Sequence, residues 1–443
     1  MHTSTITRLV ATWLAATMLG GAARADDLPR RGVLGVKLSP AEGGVKVEEI
    51  LNPNLDAVKA GDLIVLVDGT PVTHPGQVVA ALSRRKADEV IPLQLKRGAE
   101  ALAVDAKLMP AALPALDGKP FELGAVTLPS GIRVRTEFLK PGSDALTRDG
   151  KAPVLMMVQG IPCITNDTFS TSISPIGNLY RLLNEKGFAI FLVEKPGVGD
   201  SEGEDCRTGG FDIEVEAFRA AALHLKSMPG IDPARLFAAG ISMGAIQVPL
   251  IASEVGFKGI VTWGGAVMPW YDYMIATFRR RMVLQNQPAA EVEPMLRVWR
   301  KIFAAAFVDK LNRDEIAARM PDDLKAFEES AGSLEEIGGR SLKFGRECDA
   351  ANIAAGWQAY EGELLALHGE FDWVSESYDD ALSAYIVNAN NPGRATFETL
   401  PGLDHTMTAH KTLADSFPNL MKGAKSDLFE TRAAAWLLER AKL

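Results

Sequence analysis

Hydrophobic positions change their period twice along this chain. From about residue 30 to 108 they come in short stretches. Val33-Leu34-Gly35-Val36-Lys37-Leu38, Gly44-Val45-Lys46-Val47 and Asp62-Leu63-Ile64-Val65-Leu66-Val67 alternate or run apolar with turn residues between them, which predicts a compact unit of short strands. Within it Thr73 is placed to cap a helix over 76–85, with Val78, Val79 and Leu82 as its apolar stripe. Residues 109–119 read as a linker. Residues 121–126 and 132–138 then alternate like a hairpin of partly exposed strands. Solid apolar runs at 153–158, 188–193, 235–239 and 259–263 follow, separated by helical stretches, and predict parallel strands covered on both faces. From about 268 to 360 the pattern turns helical and charge-rich, with helices expected over 273–283, 291–307 and 322–329. Sheet pattern resumes at 363–368 and weakly at 395–400, and 426–442 reads as a closing amphipathic helix.

One apolar run leads straight into chemistry. Gly240-Ile241-Ser242-Met243-Gly244 stands between the strand pattern at 235–239 and the start of a helix at 245–251. A G-x-S-x-G in that setting is a nucleophile elbow, where the chain turns so sharply that the serine backbone is strained and only glycine fits the crowded flanks. Acyl transfer by such a serine needs a base within hydrogen-bond reach, a carboxylate to orient the base, and two amides for the oxyanion. Only His368, His405 and His410 follow Ser242 in the chain.

Composition narrows the setting. A chain of 443 residues predicts two or three domains, and 47% hydrophobic with 23% charged residues is ordinary globular composition. The net charge of -9 and the lack of a long basic run argue against a nucleic-acid partner. Arg8, the apolar run 9–19 and Ala23-Arg24-Ala25 read as a secretory signal over 1–25. The run is too short for a bilayer span, with an uncleaved anchor as the alternative, and no later segment has the length or purity to cross one. The mature chain is therefore expected to begin near Asp26, in the periplasm or outside the cell. The three cysteines, Cys163, Cys206 and Cys348, have no metal-ligand spacing and the histidines are scattered, so no metal or other cofactor is expected. Arg279-Arg280-Arg281 reads as a solvated helix face, with anion steering as the alternative. The glycines of 194–203 lack a following G-K-[ST], which favours a structural loop over a nucleotide site.

Two resemblances organise these readings. Residues 30–108 resemble a PDZ domain of the kind attached to bacterial periplasmic proteases, on Gly32-Val33-Leu34-Gly35-Val36, Val58-Lys59-Ala60-Gly61-Asp62-Leu63-Ile64 and Val67-Asp68-Gly69-Thr70-Pro71-Val72. The resemblance implies that amides around Leu34, Gly35 and Val36 hold a peptide carboxylate. Val78 and Leu82 would then line the groove where a protein C-terminal tail adds as a strand. The alternative is a domain that only packs against its neighbour.

Residues 120–443, apart from a helical cap at about 268–360, resemble the α/β-hydrolase superfamily: a mostly parallel sheet with helices on both faces and a cap insertion. By that resemblance the acid is Asp372, in His368-Gly369-Glu370-Phe371-Asp372, with His368 structural and Glu370 pointing elsewhere. The base is His405, in Pro401-Gly402-Leu403-Asp404-His405, with His410 as backup and Asp404 a turn residue. The oxyanion donors are the Met243 amide and Ile161, in Gln159-Gly160-Ile161-Pro162-Cys163, where the family commonly writes His-Gly-x-Pro. Glu194 opens what resembles the loop after the fourth strand, with glutamate where aspartate is usual. Cys163 and Cys206 would sit on loops leaving neighbouring strands, so a disulfide between them is expected in an oxidising compartment, with three buried thiols as the alternative. The implied activity is that of an exported serine hydrolase acting through an acyl-enzyme on a small carboxylic ester. Peptide hydrolysis is the runner-up, although Met243 and Ala245 stand where prolyl-oligopeptidase relatives usually have an aromatic residue and a glycine. A scaffold with an inert hydrolase part is the third reading.

Overall fold

The computed structural model describes residues 28–167 and 174–442, so the expected signal sequence lies outside the described residues. The N-terminal unit is an antiparallel sheet in the order Val36–Ala41, Gly44–Ile50, Leu63–Val67, Val90–Arg97, Glu100–Lys107. Alternation does the work in Val90–Arg97, whose Ile91, Leu93 and Leu95 point inward. The helix Pro75–Leu82 covers this core with Val78 and Leu82 and leaves Val79 outside. Its cap is His74, not Thr73. His74 Nδ1 accepts from the Gly76 N–H at 3.1 Å, while the Gln77 side chain accepts from the His74 N–H at 3.1 Å. Pro75, pre-set for the first helical position, puts the cap one residue later than the threonine. Val36–Ala41 has a sheet neighbour on one side only.

Segment 109–119 is not a free tether. Met109–Pro110 pairs with Gly32–Val33, Ala115–Leu116 pairs with Lys119–Pro120, and Leu116 is buried in the core of the following domain. Here the leucine finds apolar cover, which its Pro- and Ala-rich surroundings did not foretell.

The second domain is built on an eight-stranded sheet in the order Glu122–Thr127, Arg133–Leu139, Ala189–Val193, Ala152–Val158, Ile231–Ile241, Gly259–Trp263, Glu363–Gly369, Ala395–Leu400. The first three strands pair antiparallel and the rest parallel. Ala152–Val158, Ala189–Val193 and Gly259–Trp263 are buried at every residue, as solid apolar runs require. Arg133–Leu139 is more deeply buried than the partly exposed hairpin expected of it. Arg135 is 2% exposed because the chain before the N-terminal unit and the 194–202 loop lie over it. Its guanidinium donates to the Leu28 carbonyl at 2.7 Å and to Asp200 at 3.0 Å.

The cap enters between Gly259–Trp263 and Glu363–Gly369. Trp270–Leu284, Ala289–Phe303 and Pro321–Ala331 pack around Phe278, Trp299, Phe303 and Phe327, and Leu342–Ala350 returns the chain beside a two-residue hairpin, Glu336–Ile337 with Arg340–Ser341. Among the described residues no helix is long and apolar enough to cross a membrane.

Candidate active site

The strand Ile231–Ile241 ends on Ser242 and the helix Met243–Gln247 begins immediately after it. Ser242 has φ 54° and ψ -117°, a conformation that costs a side-chain-bearing residue of order 1–3 kcal/mol and persists only where its surroundings enforce it. One restraint is the Ser242 N–H, which donates to the Trp263 carbonyl at 2.8 Å. The flanking glycines are steric necessities. A Cβ on Gly244 would lie 1.9 Å from the Val158 carbonyl oxygen, and one on Gly240 would lie 2.7 Å from the Gly244 carbonyl oxygen. The expected single helix over 245–251 is two, because Pro249 starts a second one, Pro249–Val255.

Ser242, His405 and Asp372 come from three separate strand ends and meet. Ser242 Oγ lies 2.9 Å from His405 Nε2, and His405 Nδ1 lies 2.7 Å from Asp372 Oδ2. The Asp372 carboxylate also accepts from the Val374 N–H at 2.8 Å, the Ser375 N–H at 3.0 Å and the Ser375 hydroxyl at 2.6 Å. Burial alone would raise its pKa, but the facing His405 and these bonds outweigh burial and hold it down to about 2. At His405 burial favours the neutral ring, yet Asp372 overcomes it and keeps the imidazole above its ordinary value. An ionised Asp372 fixes the Nδ1–H tautomer, which leaves Nε2 free to accept from the serine hydroxyl.

The other histidines are occupied elsewhere. His368 Nδ1 pairs with Asp380 at 2.8 Å, and Asp380 in turn accepts from the Gly265 N–H at 2.9 Å. His410 Nε2 pairs with Asp404 at 3.0 Å, while Asp404 also accepts from the Thr406 and Thr408 N–H groups, locking the turn that carries His405. Glu370 turns away and accepts from the Gly402 N–H at 2.8 Å.

Met243 is the first residue of its helix, where an N–H has no intrahelical acceptor and points to the positive end. Gly160 and Ile161 lie alongside, and a Cβ on Gly160 would stand 3.5 Å from the Ser242 Cβ. Gln159, at the family's histidine position, donates below the loop to Asn166 at 3.1 Å and to the Val193 carbonyl at 2.9 Å. Cys163 is disulfide-bonded to Cys206, tying this loop to the 194–206 loop, and Cys348 is a buried free thiol.

Arg280 corrects the picture of a wholly solvated arginine run. Arg281 is exposed and Arg279 pairs with Glu293, but Arg280 reaches from the cap to the loop after Asp372. It donates to the Trp373 and Val374 carbonyls at 2.9 Å each and pairs with Glu376, while Thr277 donates to the Val374 carbonyl at 3.0 Å. No local pattern marks a residue that acts 93 positions away.

In the N-terminal unit Leu34, Gly35, Val36, Val78 and Leu82 line one cavity of about 570 Å³, whose far wall is hydrolase-domain chain at 163–165, 197–199 and 205–207. Among the described residues no group of His, Cys, Asp and Glu is arranged to hold a metal ion.

Comparison with known proteins agrees with this architecture. Residues 32–108 match the PDZ domain family, and residues 169–411 match the hydrolase family described as serine aminopeptidase, S33. No curated protein sequence matches the chain. Similar solved structures include an alpha/beta hydrolase, GrgF, from Penicillium sp. sh18, at 15% identity and TM-score 0.45, covering 73% of this chain and 100% of that one. Ferulic-acid-bound Est1E from Butyrivibrio proteoclasticus matches at 16% identity and TM-score 0.45, over 74% of this chain and 99% of the other. An esterase of Pyrococcus furiosus matches at 16% identity and TM-score 0.44, over 72% and 91% of the two chains. The α/β-hydrolase fold and the preceding PDZ domain expected from the sequence are both present.

Proposed function

Since this chain belongs to the serine aminopeptidase S33 family of hydrolases, we propose that it is an exported serine hydrolase working through an acyl-enzyme. The observation that carries the reading is the continuous chain from Ser242 Oγ through His405 to Asp372, at 2.9 and 2.7 Å, on a serine held in strained backbone. Ser242 attacks the substrate carbonyl as His405 takes its proton. The Met243 and Ile161 amides stabilise the oxyanion. The imidazolium, steadied by Asp372, gives the proton to the leaving group. Water, deprotonated by the same imidazole, then releases the acid and restores the serine.

A carboxylic ester is the preferred substrate, a reading supported by Met243 and Ala245 standing where prolyl-oligopeptidase relatives usually have an aromatic residue and a glycine. Peptide hydrolysis is the second reading, favoured by the description of the matching family and by the PDZ domain. Export is supported by the signal pattern in 1–25 and by the Cys163–Cys206 bond, which persists in oxidising compartments. The PDZ domain's role is to take a protein C-terminal tail along the open edge of Val36–Ala41.

A fluorophosphonate probe tests the core of this. Wild-type protein labels and Ser242→Ala does not, with turnover falling by about a millionfold. Folded wild-type protein that resists the probe favours the inert scaffold. Short-chain p-nitrophenyl esters are expected to turn over faster than aminoacyl-nitroanilides; the reverse order makes it a peptidase.

A further inference from the structure

Among the described residues, Lys195 is the most buried cation that the chemistry above does not use. It is 0% exposed, and burial lowers its pKa to about 8 even with Glu214 beside it. An ammonium is kept in such a place only where it is fully engaged. Its Nζ donates to the Gly160 carbonyl at 2.5 Å and touches those of Ile161 and Pro162 at 3.3 and 3.4 Å. All three belong to the loop that supplies the second oxyanion amide. The C=O of Gly160 and the N–H of Ile161 share one planar trans peptide, so they point in opposite directions. Drawing that carbonyl onto Lys195 therefore aims the Ile161 N–H the other way, beside Ser242. Among the described residues this N–H has no acceptor of its own.

The same carboxylate ties the rest of the hole together. Glu214 pairs with Lys195 at 3.5 Å, accepts from Arg340 at 2.6 Å and accepts from Gln247 at 2.9 Å. Gln247 lies on the helix that begins with Met243, the first oxyanion donor. Arg340 comes from the cap, and its other nitrogen donates to the Ile161 carbonyl at 3.2 Å.

We propose that Lys195, Glu214 and Arg340 are positioning residues for the oxyanion hole: one buried charge cluster sets the Ile161 peptide against the Met243 helix and makes that geometry answer to the cap. The proposal rests on the acyl-transfer reading, but one arm of its test does not. Lys195→Met leaves Arg340 and Glu214 as a matched pair, and Arg340→Met leaves Lys195 and Glu214 matched, so neither variant strands a lone buried charge.

For Lys195→Met the expected result is a fall in kcat of about 10²-fold on a short-chain nitrophenyl ester, the scale of losing one oxyanion donor, with KM within about threefold. Affinity for an alkyl boronic acid, whose serine adduct places an oxygen in the hole, falls by the same factor. Arg340→Met gives the same signature more weakly, and it carries the test alone if Lys195→Met does not fold. Limited proteolysis within the 160–166 segment accelerates in both variants, whether or not the protein turns over esters. Folded Lys195→Met with wild-type kcat, or with the loss confined to KM, overturns the proposal, as does unchanged proteolysis of that segment. A wild type that neither hydrolyses esters nor accepts the probe refutes the acyl-transfer reading, and the proteolysis arm still decides whether the cluster orders the loop.

Discussion

In the triad one carboxylate, Asp372, is ringed by donors and faces one imidazole. In the seam between the two domains the buried charges crowd instead. Asp200 gathers Arg30, the Arg31 N–H at 2.7 Å and Arg135, while Glu194 and Glu137 lie close behind it. The pKa directions diverge accordingly. Asp372 is held down to about 2 because hydrogen bonds and His405 outweigh burial. Glu194 is pushed up to about 7 by burial and then by Asp200 and Asp167, and Glu137 is driven well above its ordinary value by burial and by Glu194. The donor-ringed Asp372 stays ionised for the reaction, whereas Glu194 and Glu137, whose buried oxygens meet few donors, are held toward their protonated forms in the seam.

Substitutions on either side are expected to break along that line. Asp372→Asn should lower kcat by about 10⁴-fold, through loss of the productive His405 tautomer, and should also lower the melting temperature, because a carboxylate held down to about 2 adds folded-state stability at neutral pH. Steady-state ester hydrolysis beside a thermal melt measures both. Asp200→Asn should touch stability alone. It strips the charge from a carboxylate shared by Arg30 and Arg135, costing about 3 kcal/mol of unfolding free energy, and leaves kcat within about threefold because Asp200 touches neither Ser242 nor His405. Denaturant unfolding, with limited proteolysis in 109–119 as the sign of a loosened N-terminal unit, reads it. The Cys163–Cys206 bond lies between the two regions. Replacing both cysteines by serine should cost about 2–4 kcal/mol for a bridge across 43 residues, and kcat should drop too because the bridge anchors the loop bearing Ile161.

The smallest effect is the opposite pH dependence of the two regions. Hydrolysis needs neutral His405, whose pKa is raised, so the rate should climb with pH and reach half its plateau above the ordinary imidazole value. In Asp372→Asn that midpoint should fall. Glu194 keeps its proton in the folded state to about 7 but loses it near 4.5 when unfolded. It therefore adds stability at low pH that is lost as pH rises from about 4.5 through about 7. Between pH 5 and pH 8 the rate should rise while this contribution to stability falls, and Glu194→Gln should flatten the second slope without moving the first. Parallel slopes would merge the two regions into one titrating unit.

The two regions also differ in how far the sequence reveals them. The elbow is a local signature whose strand–turn–helix context is contiguous, and the order serine, acid, base left few histidines to weigh, so the residues the structure brings together at Ser242 were all legible. The seam was not. Arg30 meets Asp200 across 170 positions, and Arg31 meets Asp167 across 136. Such partners are chosen by packing, with no spacing to read. The same cause turned a strand expected to be partly exposed, Arg133–Leu139, into a largely buried one, and an apparently solvated Arg280 into a clamp on the acid loop. At close range the miss was chemical: His74 rather than Thr73 caps Pro75–Leu82, because an imidazole nitrogen accepts as a hydroxyl oxygen does.

The central claim is that Ser242 carries the acyl group. Wild-type protein mixed briefly with p-nitrophenyl acetate, quenched in acid and digested should yield the peptide containing Ser242 heavier by one acetyl group, with a burst of nitrophenol matching the enzyme concentration. Ester turnover with no adduct on that peptide, or with the acetyl group on another residue, would contradict it.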